Sequence, residues 1–107
     1  HETRDFTYVD DTINLVAKLA KSSYCMAELF NGGTGVKTTI KFLAETIIEL
    51  TESTSKIIYV APREWDHVKD RCSDITKSSQ LIGYDPESKF REGLIEAIQW
   101  IKEKMKE

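Results

Sequence analysis

The chain has 107 residues, of which 40% are hydrophobic and 31% are charged, and its formal net charge is -3. This length can bury one modest core, so we expect a single domain over residues 1–107. The acidic balance and the lack of a basic run argue against a nucleic-acid partner. No apolar stretch is long enough to span a bilayer, so we expect no membrane partner and a cytoplasmic location. Because the chain starts at His1 without an initiator Met, we expect a piece of a longer protein.

The N-terminal segment predicts a strand followed by a helix. Residues 5–9 alternate in strand fashion and are rich in aromatic and β-branched side chains. Asp10 and Asp11 suit the start of a helix, where carboxylates meet free N–H groups. Apolar residues then recur at helical spacing, so we predict a helix over about 11–21.

A glycine-rich stretch, NGGTGVKTT, runs from Asn31 to Thr39. It is not a phosphate-binding P-loop, because Asn31 and Val36 stand where that motif requires glycine. Residues 28–31 predict a short buried strand before it. Thr39 predicts the N-cap of a helix over about 40–50. The glycines therefore predict a connection from a strand to a helix.

The second half of the chain completes the predicted fold. Its predicted elements are a strand over 56–61 (KIIYVA), a helix over about 75–82 that starts after Asp74 and ends at Gly83, and a last helix over about 88–105. Gly93 inside the last helix predicts a close packing contact, because glycine there costs about 1 kcal/mol relative to alanine. The order predicts a small α/β domain of about three short strands and four helices, with parallel pairing possible between the central strands.

Charged residues beside the predicted strands are the candidate binding residues. Arg4 precedes the first strand, and Arg63 and Asp66 lie in the irregular stretch after the third, where a scaffold commonly presents ligand-binding groups. An arginine fork holds a phosphate through two parallel hydrogen bonds, so two arginines suit a diphosphate. Arg71 is a reserve candidate.

The sequence predicts neither a metal site nor a catalytic residue. His67 stands beside Asp66 without a further partner, and Cys25 and Cys72 are far apart, so we expect buried free thiols. Trp65 is expected to pack against the preceding strand, and stacking on a sugar or base is the alternative.

Six motifs in a fixed order carry a family resemblance: RDFTYVDD, LFNGGTG, TTIKFLAETIIEL, YVAPREWD, SDITKSSQLIGYDP and FREGLIEAIQWIKE. Together they resemble the C-terminal part of the extended short-chain dehydrogenase/reductase family, in particular NAD-dependent nucleotide-sugar epimerases of the UDP-glucose 4-epimerase type. The resemblance implies that Arg4 and Arg63 contact the nucleotide diphosphate and that Asp66 binds the nucleotide portion through a ribose hydroxyl. The family commonly has glycine where Trp65 stands.

The resemblance also implies that catalysis and substrate binding belong to different parts of the parent protein. Family members carry an N-terminal Rossmann domain with an NAD fingerprint and a Tyr-x-x-x-Lys pair, and this sequence has neither. We therefore expect the substrate-binding lobe of a UDP-sugar 4-epimerase, which binds a nucleotide sugar, packs against the parent's Rossmann domain, and alone has no turnover and no appreciable NAD affinity. The alternatives are the same lobe of a nucleotide-sugar 4,6-dehydratase or decarboxylase, or a stand-alone, non-enzymatic binding module.

Overall fold

A computed structural model describes residues 2–23 and 27–107. In chain order its elements are β1 (Thr3–Arg4), α1 (Val9–Lys21), β2 (Thr38–Thr39), α2 (Ile40–Thr51), α3 (Thr76–Ile82) and α4 (Phe90–Met105). This confirms the α/β class and the predicted helices, each of which begins and ends within two residues of its predicted bounds. No helix in these two stretches combines the length and the apolar character needed to cross a membrane.

α1 is anchored to the rest of the molecule by one buried carboxylate. Asp10 and Asp11 lie in its first turn, as the sequence predicts. Asp11 is 2% exposed, and its Oδ1 accepts hydrogen bonds from the backbone N–H groups of Glu87 (3.1 Å) and Ser88 (3.3 Å). Since those residues precede α4, this carboxylate ties the start of α1 to the start of α4.

The predicted caps at Thr39 and Gly83 are present, whereas the predicted N-cap at Asp74 is wrong by one residue. The Thr39 hydroxyl accepts a hydrogen bond from the Phe42 N–H at 3.0 Å, which satisfies one free donor at the start of α2. α3 ends at Gly83, whose φ of 67° lies in the left-handed region that glycine adopts without steric cost. The Asp74 carboxylate accepts from the Thr76 N–H at 3.0 Å, although the N-cap position itself is Ile75.

α4 packs closely on the segment before α1, and Gly93 makes this possible. A Cβ on Gly93 would lie 3.0 Å from Cδ1 and 3.1 Å from Cγ of Tyr8. The close contact predicted from Gly93 is therefore confirmed. The Tyr8 hydroxyl also donates a hydrogen bond to Glu96 at 2.7 Å, which fixes the ring against α4.

The predicted strands are wrong. Residues 5–9, 28–31 and 56–61 form no strand, and the observed sheet pairs β1 antiparallel to β2 through the register Thr3 to Thr39 and Arg4 to Thr38. The parallel pairing expected between the central strands is absent from the described residues, and the isolated parallel bridge between Thr3 and Asp70 lies outside all three predicted strands. A strand exists only through a neighbouring ladder, and in the described chain these three segments have none.

Much apolar surface is left uncovered. Leu15 and Tyr84 are the fully buried large apolar side chains of the described residues. In contrast, Ile58, Tyr59 and Val60 are 81%, 72% and 83% exposed. An apolar cleft of about 430 Å³ opens beside Phe6, between the 6–8 segment and α4.

Candidate functional site

The Asp5 carboxylate is held inside the glycine-rich loop. Its oxygens accept hydrogen bonds from the N–H of Thr34 at 2.9 Å, the N–H of Gly35 at 2.9 Å and the N–H of Ser73 at 3.2 Å. The Thr34 hydroxyl donates a further bond to Oδ1. The loop thus cradles a carboxylate of its own chain, which explains why its glycine spacing does not match a phosphate-binding motif.

Two positions at the cradle require glycine, one because of the space available and the other because of its backbone conformation. A Cβ on Gly33 would lie 2.5 Å from Ser73 Oγ and 2.6 Å from Asp5 Oδ2, so no side chain fits there. Gly35 has φ of 75°, in the left-handed region. The predicted connection does lead into α2, through β2, but residues 28–31 before it form no strand.

The pKa of Asp5 is lowered from its ordinary value of 3.8. Burial alone would raise the pKa, but the hydrogen bonds from Thr34, Gly35 and Ser73 stabilise the charged form and outweigh that effect. Asp5 is therefore ionised at neutral pH. Its charge is neutralised by the chain's own N–H groups and is not offered to a ligand.

β1 holds the segment before Ser73 in place. The Thr3 N–H donates to the Lys69 carbonyl at 2.9 Å, and the Arg71 N–H donates to the Thr3 carbonyl at 3.2 Å. The Thr3 hydroxyl also donates to the Asp70 carboxylate at 2.7 Å. These bonds fix the C-terminal end of the irregular stretch that carries Arg63 and Asp66 alongside β1.

Arg4 lies in this contact with its guanidinium partly fixed. Nη1 donates to the carbonyls of Thr3 (2.7 Å) and Lys69 (3.2 Å), and Nη2 donates to the Val68 carbonyl at 3.3 Å. Nη2 is also 3.5 Å from the Glu2 carboxylate. The Arg4 side chain remains 30% exposed.

Arg63 and Asp66 form a two-point ion pair across a turn. Nε and Nη2 of Arg63 donate to the two carboxylate oxygens of Asp66 at 2.8 and 3.3 Å, and the Asp66 N–H donates to the Arg63 carbonyl at 3.0 Å. The hydrogen bond from Arg63 to Asp66, followed by the charges of Asp66 and Glu2, raises the pKa of Arg63. Glu2, whose carboxylate lies 3.5 Å from Nη2 of Arg4, is the last of these causes for Arg63.

Trp65 stands at the surface of the same turn. Its side chain is 69% exposed, and the guanidinium carbon of Arg63 lies 5.6 Å from the centroid of its ring. The expectation that Trp65 packs on a preceding strand is therefore wrong, because residues 56–61 form no strand and the indole contacts Arg63 instead.

A polar cleft of about 470 Å³ opens beside Arg4. Its lining is Arg4, Asp5, Asn31, Arg71, Cys72, Ser73 and Asp74. The reserve candidate Arg71 thus shares this cleft with Arg4. Cys72 is exposed, so its predicted burial is wrong, and Cys25 lies outside the described residues. Across residues 2–23 and 27–107, no group of His, Cys, Asp and Glu side chains is arranged to hold a metal ion.

Two acidic residues were missed by reasoning from the sequence. Asp5 could have been found, because a carboxylate beside a predicted strand is a natural partner for the free N–H groups of a glycine-rich loop. Glu2 gave no such signal. Its pair with Arg4 is local, and its effect on Arg63 arises only because the fold brings residues from the two ends of the first 66 positions together.

No protein-family model matches the chain. Among curated proteins, a UDP-N-acetyl-alpha-D-glucosaminuronate decarboxylase of Bacillus cytotoxicus is 32% identical over 107 residues, covering 95% of this chain and 33% of that protein. The chain therefore spans about a third of the length of this relative.

Solved structures show the same partial coverage. An epimerase of Methanothermobacter thermautotrophicus is 32% identical with a TM-score of 0.94, over 98% of this chain and 31% of the other. A UDP-glucose 4-epimerase of Thermotoga maritima, solved with UDP-glucose, is 29% identical with a TM-score of 0.88, over 97% of this chain and 33% of the other. The enzyme WbmF of Bordetella bronchiseptica, solved with NAD+ and UDP, is 26% identical with a TM-score of 0.73, over 96% of this chain and 30% of the other.

The sequence comparison and the structure comparison point to the same group of enzymes, and each match covers nearly the whole chain. Both confirm the resemblance that the six motifs carry. The chain is therefore related to NAD-dependent nucleotide-sugar epimerases and decarboxylases of the extended short-chain dehydrogenase/reductase family, and it matches about one third of the length of each relative.

Proposed function

We propose that this chain is the nucleotide-sugar-binding part of an NAD-dependent UDP-sugar 4-epimerase. Arg4 and Arg63 hold the diphosphate, and Asp66 binds a ribose hydroxyl. The observation that carries the proposal is the similarity in fold, over 97% of this chain, to the UDP-glucose 4-epimerase of Thermotoga maritima that was solved with UDP-glucose. Arginine forks suit a diphosphate, because each can hold a phosphate through two parallel hydrogen bonds.

The contacts of the two arginines leave room for this ligand. Glu2 approaches Arg4 only to 3.5 Å, a loose pair that a doubly charged diphosphate would displace. Arg63 uses Nε and Nη2 on Asp66, and no described residue accepts a hydrogen bond from its Nη1. That edge of the fork is available to a phosphate oxygen.

Asp66 can serve a ribose hydroxyl while it stays bonded to Arg63. Each carboxylate oxygen has two acceptor positions, and in the turn each accepts one bond from Arg63. A ribose hydroxyl would donate to a remaining position. The ion pair therefore orients Asp66 for the ligand.

Anchoring the nucleotide is the part this site plays in epimerisation. When the nucleotide and diphosphate are held firmly, the sugar beyond them can turn while it stays close to the reacting groups. The glycine-rich loop does not offer a phosphate cradle for NAD in this proposal, because the N–H groups of Thr34 and Gly35 donate to Asp5. In this proposal NAD belongs to a Rossmann domain in the parent enzyme.

The exposed apolar surface supports the presence of such a partner domain. Ile58, Tyr59 and Val60 are largely exposed in an unpaired extended segment, and α1 presents Val9 and Ile13, each more than half exposed. An exposed run of three apolar residues, as at 58–60, is typical of an interaction site. A stand-alone binding module would not need it.

A decarboxylase is the second candidate, and the Bacillus cytotoxicus relative favours it. The two activities are separated by assaying the parent enzyme. A 4-epimerase converts UDP-glucose to its 4-epimer without loss of carbon, whereas a decarboxylase releases carbon dioxide from a UDP-linked uronic acid.

Titration of the chain with UDP by calorimetry tests the binding role. Arg63→Ala and Arg4→Ala are each expected to weaken UDP binding about tenfold or more, because a hydrogen bond to a charged group is worth about 1.5–3 kcal/mol.

Arg91→Ala is the matched control. Arg91 also makes a two-point pair with a carboxylate, at 2.9 and 3.3 Å from Glu49, but this pair joins α4 to α2. The control is expected to bind UDP as the unmodified chain does. An equal loss in all three variants, or no loss in Arg63→Ala, would contradict the proposal.

A further inference from the structure

We propose that Trp65 is a nucleobase-binding residue, whose indole face stacks on the base of the nucleotide sugar. This inference rests on the proposed function and adds to it the part of the ligand that Arg4, Arg63 and Asp66 do not contact. It rests on the exposure of Trp65, on its position over Arg63, and on the order of groups along a nucleotide sugar.

The exposed indole of Trp65 contributes little to the stability of the fold. Large aromatic side chains stabilise a fold by burying area, but Trp65 is 69% exposed. The stability gained from its contact with Arg63 is small, because a cation–π pair at an exposed site contributes only about 0.5–1 kcal/mol. An open, flat aromatic face beside charged groups is the usual platform for a base.

The turn that carries Trp65 combines three chemistries suited to a nucleotide. Arg63 supplies a fork for phosphate, Asp66 supplies acceptors for a ribose hydroxyl, and Trp65 supplies a face for a ring. The Asp66 N–H donates to the Arg63 carbonyl at 3.0 Å and closes the turn, so all three side chains leave from one turn.

The order of groups in the ligand selects the base over the sugar. In a nucleotide sugar the base is joined directly to the ribose, whereas the hexose lies beyond both phosphates. A ribose held by Asp66 places the base within reach of the neighbouring side chain. Arg63 lies against one side of the indole, with its guanidinium carbon 5.6 Å from the centroid of the ring. In this proposal the base stacks on the other side.

Ligands of increasing size provide the test. The affinities of inorganic pyrophosphate, UDP and UDP-glucose are measured by calorimetry for the unmodified chain, Trp65→Ala and Trp65→Phe. Trp65→Ala is expected to weaken UDP and UDP-glucose equally, by about fivefold or more, and to leave pyrophosphate unchanged, because a stacked base contributes about 1–3 kcal/mol. Trp65→Phe should retain most of the affinity.

Trp100 gives both a matched control and a spectroscopic probe. It is 60% exposed on α4, and its ring lies 5.9 Å from the Lys104 ammonium, so it resembles Trp65 in exposure and in its cationic neighbour. In Trp100→Phe, Trp65 is the remaining tryptophan, and UDP is expected to quench its emission while pyrophosphate does not. In Trp65→Phe the emission of Trp100 should not respond to UDP.

Each outcome separates this inference from the proposed function. If UDP binds and depends on Arg63 but Trp65→Ala binds it unchanged, Trp65 only stabilises the turn and the inference is overturned while the proposed function stands. A loss confined to UDP-glucose would assign Trp65 to the sugar and overturn the inference. If the chain binds neither UDP nor UDP-glucose, both proposals fail.

Discussion

Asp5→Asn tests whether the glycine-rich loop is held by an internal anion. The carboxylate accepts bonds from three N–H groups, those of Thr34, Gly35 and Ser73, and from the Thr34 hydroxyl. Asparagine keeps one of the two acceptor oxygens. An NH2 group, which cannot accept a hydrogen bond, replaces the other oxygen and faces the groups that donated to it. Two charge-assisted hydrogen bonds are then lost at about 1.5 kcal/mol each, so the free energy of unfolding should fall by about 3 kcal/mol at pH 7.

The pH dependence follows from the lowered pKa of Asp5. A carboxylate whose folded pKa lies below its unfolded value of 3.8 stabilises the fold above that pH, and the stabilisation disappears as pH falls through the folded pKa. The difference in stability between the unmodified chain and Asp5→Asn should therefore be full at neutral pH and shrink below about pH 4. Urea unfolding followed by circular dichroism from pH 7 to pH 2 measures it.

Asp10→Asn is the matched control, since Asp10 is exposed in the first turn of α1. It is expected to cost less than about 1 kcal/mol through the helix dipole. If Asp5→Asn changes the free energy of unfolding by no more than the control does, or if its effect does not vary with pH, the carboxylate does not organise the loop and the reasoning fails.

Two further predictions concern the helices. Gly93→Ala should destabilise the fold by about 1 kcal/mol or more despite alanine's better helix propensity, because the new Cβ would lie 3.0 Å from the ring of Tyr8. The same change should cost less in a Tyr8→Ala background, where the ring is gone and the Cβ of residue 8, 3.2 Å away, is the close atom that remains. An equal cost in both backgrounds would refute the packing argument. Thr39→Ala should lower the free energy of unfolding by about 1 kcal/mol by removing the cap that accepts from Phe42, and Thr39→Ser should not, as judged by urea midpoints; equal midpoints for Thr39→Ala and the unmodified chain would show that the cap contributes nothing.

The sequence by itself determined the helices. Their start and end depend on residues a few positions away, such as the Thr39 hydroxyl on the Phe42 N–H and the left-handed Gly83, and their apolar spacing is local as well. The order of the six motifs also identified the family, because this order can be read from the sequence without knowing which contacts each motif makes in the fold.

The tertiary structure alone decided the strands and the site. A strand needs a partner, and KIIYVA over 56–61 has the composition of a strand but no ladder to join in the described chain. Asp5 reaches Thr34, Gly35 and Ser73 only across long sequence separations. Arg4 likewise reaches the carbonyls of Val68 and Lys69. Such contacts leave no periodic pattern in the sequence, because they depend on how the whole chain folds back on itself.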